Sequence, residues 1–149
     1  MATHPEQPQP PSSPLRHARA RKRATRRARP AEALALGQGL YYLTTGCWPL
    51  LHMPSFERVT GPKTDRWLVR TVGLLLGVVG TSLAAAGLRG RLTPELEFLA
   101  GTTALSLAII DIVATAKGSI SGVYLLDAAA EGLLAAAWAG AAMMDGRNS

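Results

Sequence analysis

From Ala31 onward the chain holds four apolar stretches, residues 34–53, 68–88, 96–115 and 121–144. Each is close to the roughly 20 residues an α-helix needs to cross the hydrocarbon of a bilayer. No other feature of the sequence constrains the fold as strongly. Between the stretches lie PSFERVTGPKTDR, RGRLTPE and AKGSI, whose Gly, Pro and charged residues mark turns at a surface. Links this short make neighbouring helices antiparallel. A soluble bundle would need a charged face on every helix, and the second and fourth stretches have none. The expected fold is all-α: a four-transmembrane-helix bundle over residues 31–149.

The first thirty residues are a different material. They are Pro-rich and then basic, with Arg16, Arg19, Arg21, Lys22, Arg23, Arg26, Arg27 and Arg29 but hardly an apolar side chain. Such a segment cannot build a core and is expected to be a disordered tail over residues 1–30. The mean hydropathy of +0.13 averages these two unlike parts. A basic arm of this kind can grip nucleic-acid phosphates, but tethering to a membrane makes that partner unlike this chain's setting. The first apolar stretch ends in LLHMPSF without a small-residue cleavage site, so it reads as an uncleaved anchor. The tail is better suited to setting topology and holding anionic lipid headgroups, at about 1 kcal/mol per basic residue near the surface.

Eight basic residues ahead of the first span favour a cytoplasmic N-terminus, and four spans return the C-terminus to the same side. Arg89 and Arg91 then fall inside. The first loop runs against the rule, because Arg58, Lys63 and Arg66, with Arg70 a turn into the second helix, fall outside. These cations need partners.

Three intramembrane acids are the candidates. Asp111 shares a helical face with Ala108, Ala104 and Gly101, a stripe of small residues of the sort along which membrane helices touch. Asp127 and Glu131 are one turn apart beside a second stripe, Ala128, Gly132, Ala136 and Gly140. Arg66 and Arg70 lead down one face into Gly73, Gly77 and Gly80, and Tyr41, Thr45, Trp48 and His52 share a face of the first helix. At about 1.5 Å per residue, Asp111 lies about 9 Å below the outer end of its helix. A lone charge in hydrocarbon costs about 2.5 to 3.5 kcal/mol even on the lenient insertion scale. The expectation is a shared polar pocket in the outer leaflet, built from Arg70, Asp111, Asp127, Glu131 and His52 and capped by the first loop.

Plainer readings stand beside this one. Thr93, Pro94, Glu95 and Glu97 are ordinary helix-start chemistry. Trp48, Trp67 and Trp138, and the Tyr41–Tyr42 pair, suit interfacial anchoring. His52 sits at a helix end, where a hydrated surface histidine is common. Cys47 has no partner for a disulfide. The acids themselves are equally suited to structural pairing with Arg70.

No HExxH, GxGxxG with a distal acid, GxSxG or metal-spaced Cys/His cluster occurs, so no catalytic residue, metal or cofactor is assigned. GLYYLTTGCWPLLHMPSFERVTGPKTDRWLVRTVGLLLG, with Asp111, Asp127 and Glu131 downstream, resembles a pattern of small, uncharacterised four-helix membrane proteins of bacteria. The match covers residues 39–131, and in span count and size the chain is also similar to the DoxX-like group. The resemblance implies a bacterial plasma (inner) membrane and no established activity. Three functions are compatible with the residues. The first is a protein that binds or moves a small polar or amphiphilic ligand, or protons, at the pocket. The second is an embedded enzyme acting on lipid or quinone, for which nothing identifies a substrate. The third is a structural subunit whose small-residue stripes receive a helix partner or a second copy.

Overall fold

The computed structural model describes the backbone of residues 14–146 and the side chains of residues 30–144. Among the described residues every element is helical: α1 (Pro14–Leu51), α2 (Met53–Thr60), α3 (Arg66–Arg89), α4 (Pro94–Ala116) and α5 (Tyr124–Gly146). Three of them, α3, α4 and α5 as far as Met144, are long and apolar enough to cross a membrane. The apolar part of α1 is long enough as well. It is diluted, however, by Gln38, Tyr41, Tyr42, Thr44, Thr45 and Pro49.

Two local expectations differ from the structure. The tail expected to be disordered is helical from Pro14, so α1 extends over 38 residues. Arg and Ala are among the best helix formers, and the segment from Leu15 to Arg29 contains no Gly or Pro to interrupt them. The first thirteen residues of the tail lie outside the described ones. The second difference is α2, a short helix inside the loop read as a turn. His52 caps it, its Nδ1 accepting a hydrogen bond from the Ser55 N–H at 3.1 Å, and Pro54 sits in the first turn, where a missing N–H is harmless.

The remaining ends follow sequence chemistry. Gly90 terminates α3 in the left-handed conformation, at φ 59°, with its N–H returned to α3 carbonyls. Thr93 and Pro94 open α4 with Glu95 and Glu97 in its first turn. The long helices alternate in direction, so the bundle has an α2 end and an opposite, Pro94 end.

Packing divides the helices into two close pairs, α1 on α3 and α4 on α5. The first pair meets along glycine. Gly39 and Gly46 of α1, seven residues apart, oppose Gly73 and Gly80 of α3, also seven apart, and Gly87 continues the row against Glu32 and Leu36. A β-carbon on Gly39 would lie 2.7 Å from the Gly80 carbonyl oxygen, and one on Gly46 would lie 2.6 Å from that of Gly73. The backbones therefore touch, which is how membrane helices gain dispersion contact when lipid is as apolar as they are. The pairs join near the Pro94 end through Ala35, Leu83, Ala100 and Trp138. Outward, the helices carry large apolar side chains in the open: Leu126 is 75% exposed and Leu133 73%. So broad an apolar exterior requires a lipid-like surrounding.

Candidate functional site

Polar side chains of α1, α4 and α5 converge inside the bundle, and they do so in two groups. The first is closed. Gln38, fully buried, donates from Nε2 to the Ala100 carbonyl at 2.9 Å and to the Tyr42 hydroxyl at 3.0 Å. Its Oε1 accepts from Trp138 Nε1 at 2.6 Å. Tyr42 in turn donates to Glu131 Oε2 at 2.9 Å. Helical spacing makes this ladder: Gln38 and Tyr42 are one turn apart on α1, while Glu131 and Trp138 are two turns apart on α5. Each buried group of the ladder has a partner in the chain, as buried polar groups require.

The second group is open. Tyr41 donates its hydroxyl to Asp127 Oδ1. On the facing helix Asp111, 8% exposed, is within hydrogen-bonding reach of Asp127. Two carboxylates can share such a contact only through a proton or a cation. Asp111 Oδ2 is buried without any hydrogen-bond partner from the chain, and so is the hydroxyl of Thr115, one turn further along α4. Asp111 stands with Ala104 and Ala108 on the buried stripe that its spacing predicted.

The basic partner expected for these acids is elsewhere. Arg70 is exposed on α3, and it forms no ion pair with Asp111, Asp127 or Glu131. The reason lies in the helix order: α3 packs mainly on α1, while the acids stand on α4 and α5. Two of the loop's cations, Arg66 and Lys63, are met locally instead. Glu57 accepts from Arg66 Nε at 2.8 Å and Nη2 at 2.7 Å, a bidentate pair, and its Oε1 also accepts from the Lys63 N–H at 3.3 Å. The Arg66 guanidinium holds the Glu57 carboxyl below its ordinary range. Lys63 does reach the bundle: its ammonium lies 4.8 Å from the Tyr124 ring centre, which ties the loop over the start of α5.

His52 is exposed and serves as the cap of α2, so the structure separates it from the acids. Trp48 donates to Ser55 Oγ at 2.8 Å and meets Phe56 edge-on, fixing the same corner. Tyr41, Tyr42 and Trp138, read as interfacial anchors, belong to the interior network. Gln38 and Thr115 were not singled out at all, although Gln38 shares a face with Tyr42 and Thr115 with Asp111. Glu131 is 1% exposed and paired within the ladder.

A separate groove of about 860 Å³ runs between α4 and α5 at the Pro94 end, floored by Gly101, Gly132, Ala135 and Ala139. It is apolar, and none of the three intramembrane acids lines it. Among the described residues no set of three or more His, Cys, Asp or Glu is gathered as metal ligands. No family model, curated protein or solved structure matches the chain. The geometry of the two polar groups is therefore the only guide to chemistry.

Proposed function

We propose that this chain is a four-span protein of a bacterial plasma membrane that binds and releases protons at the carboxyl pair Asp111 and Asp127. The backbone contact of α1 with α3 supports counting α1 as the fourth span, since it keeps the diluted helix at the depth of an apolar one. The basic tail supports cytoplasmic N- and C-termini. The likeness to small bacterial four-helix proteins, DoxX-like in size and span count, belongs to the same reading.

One observation carries the functional part: the buried Asp111 Oδ2 has no donor, its carboxyl faces that of Asp127, and among the described residues no cationic side chain neutralises the two. Ionised together in low dielectric, the pair is strongly disfavoured, so uptake and loss of a proton is the chemistry the site is built to perform. Tyr41 holds Asp127 in place and offers its hydroxyl as a relay. The structural reading is favoured at the ladder, where Gln38, Tyr42, Glu131 and Trp138 use their polar atoms on one another and fasten α1 to α5.

A hydrophobic carbodiimide, which adds to protonated carboxyls, tests this in native membranes. Mass spectrometry should find the adduct on Asp111 or Asp127, increasing as pH falls and absent from Asp111→Asn/Asp127→Asn. Failure to label either residue at any pH at which the protein stays folded would overturn the proposal.

A further inference from the structure

Resting on that reading, we infer that the open group also takes a small monovalent cation, of sodium or lithium size, which competes with the proton. Asp111 Oδ2 and Thr115 Oγ1 are both buried and unpartnered, and they lie one helical turn apart on the same face of α4. Asp127 faces Asp111 from α5. A proton shared between the two carboxyls would relieve the charge but would leave the Thr115 hydroxyl oxygen unused. A cation among Asp111, Asp127 and Thr115 engages all three residues and neutralises the acids at the same time.

The surroundings decide the charge of the ion. α1 contributes Tyr41 and Tyr42 to this region, and α5 contributes Asp127 and Glu131. The nearest basic groups, Lys63 and Lys117, belong to the links at the α2 end; Lys63 is engaged with the Thr60 carbonyl and the Tyr124 ring. Among the described residues no cation thus compensates the pair. Calcium requires about six to eight oxygen ligands, many of them carboxylate, and no set of three acids is gathered here. Two carboxylates and a hydroxyl suit a singly charged, oxygen-seeking ion.

The two ends of the site differ. Toward the Pro94 end the space is closed by the Gln38–Trp138 hydrogen bond and the cluster of Ala35, Leu83, Ala100 and Trp138. Toward the α2 end Thr115 lies two residues from the exposed Lys117, where α4 stops.

The carbodiimide assay distinguishes this inference from the reading beneath it. In full-length protein at constant ionic strength, sodium chloride should slow labelling of Asp111 or Asp127 several-fold relative to choline chloride and raise the Tm, with potassium chloride less effective. Thr115→Val should keep pH-dependent labelling and lose the protection, while Thr115→Ser should keep both. Circular dichroism and elution volume identify any variant that fails to fold, in which case the sodium, lithium, potassium and choline comparison on wild-type protein decides. Labelling that follows pH but ignores every alkali cation would overturn the cation site and leave the proton site standing. Protection retained in a folded Thr115→Val would overturn the role of the hydroxyl. No labelling under any condition would remove the proton site and the cation site together.

Discussion

Gly46 and Gly73 meet through their backbones: a β-carbon on Gly73 would lie 2.5 Å from the carbonyl oxygen of Gly46. Neither helix can yield at this point without separating along its length. Gly46→Ala or Gly73→Ala should therefore destabilise the protein by about 1 to 3 kcal/mol, as overpacking does in other cores. Gly77 faces open space, and Gly77→Ala should leave the Tm unchanged. Thermal unfolding in mild detergent separates the two outcomes.

Trp138→Phe keeps the ring in its cluster but removes the donor to Gln38 Oε1. The buried amide oxygen is then unsatisfied, at a cost of about 1 to 3 kcal/mol. Combining it with Gln38→Leu removes the stranded group and should recover part of the loss, so the double-mutant cycle should be non-additive. Additive losses would mean that the two side chains act independently.

The same logic gives the opposite sign at the open group. Asp111→Asn replaces an unpartnered carboxyl with an amide that can donate to Asp127. Stability at neutral pH should increase by about 1 to 3 kcal/mol while carbodiimide labelling is lost. A destabilised Asp111→Asn would show that the carboxyl is held by contacts other than those described.

Glu57 supplies the pH dependence of the α2 corner. Its folded carboxyl lies below its unfolded value because Arg66 donates to it. The contribution is thus fully present above the unfolded value and is lost as pH falls through the folded one. Hydrogen exchange at the Lys63 amide, which donates to Glu57, should accelerate on that acid side in wild-type protein and be fast at all pH in Glu57→Gln. Because the Arg66 side of the pair is open to solvent, the global Tm should hardly move.

Topology is tested with two reporters. Four crossings place a fusion after Ser149 on the cytoplasmic side and one inserted between Glu57 and Lys63 outside; three crossings would put the two ends of the chain on opposite sides. Neutralising the tail arginines should scramble this orientation, because the first loop is itself basic.

Sequence periodicity was sufficient wherever a face is defined by one helix alone. The spacing of Asp111 with Ala108, Ala104 and Gly101 identified a buried stripe, and Thr93 to Glu97 located the start of α4. It failed where the partner helix decides. Gly73, Gly77 and Gly80 share a face on a wheel, yet the contact with α1 repeats every seven residues and so takes Gly73, Gly80 and Gly87 and passes over Gly77. Arg70 lies on the same side as Gly73, but α3 packs mainly on α1, while the acids stand on α4 and α5. Gln38 was invisible for a simpler reason: one amide in an apolar helix has no motif, and its role depends on Trp138, which only the fold brings near.

That last pair also bears on how the protein is made. Gln38 and Trp138 are 100 positions apart, on the first and last of the long helices. Helices emerge from the ribosome in chain order, so with α1 as the proposed fourth span the Gln38 amide enters the bilayer long before its indole donor has been synthesised. Through that interval α1 and α3 can already zip together on their glycines, which need nothing from α5. The nascent chain therefore waits as a half-assembled hairpin with an unsatisfied amide on its open side, and the arrival of α5 completes it. A chain truncated before Trp138 would leave Gln38 Oε1 without its donor.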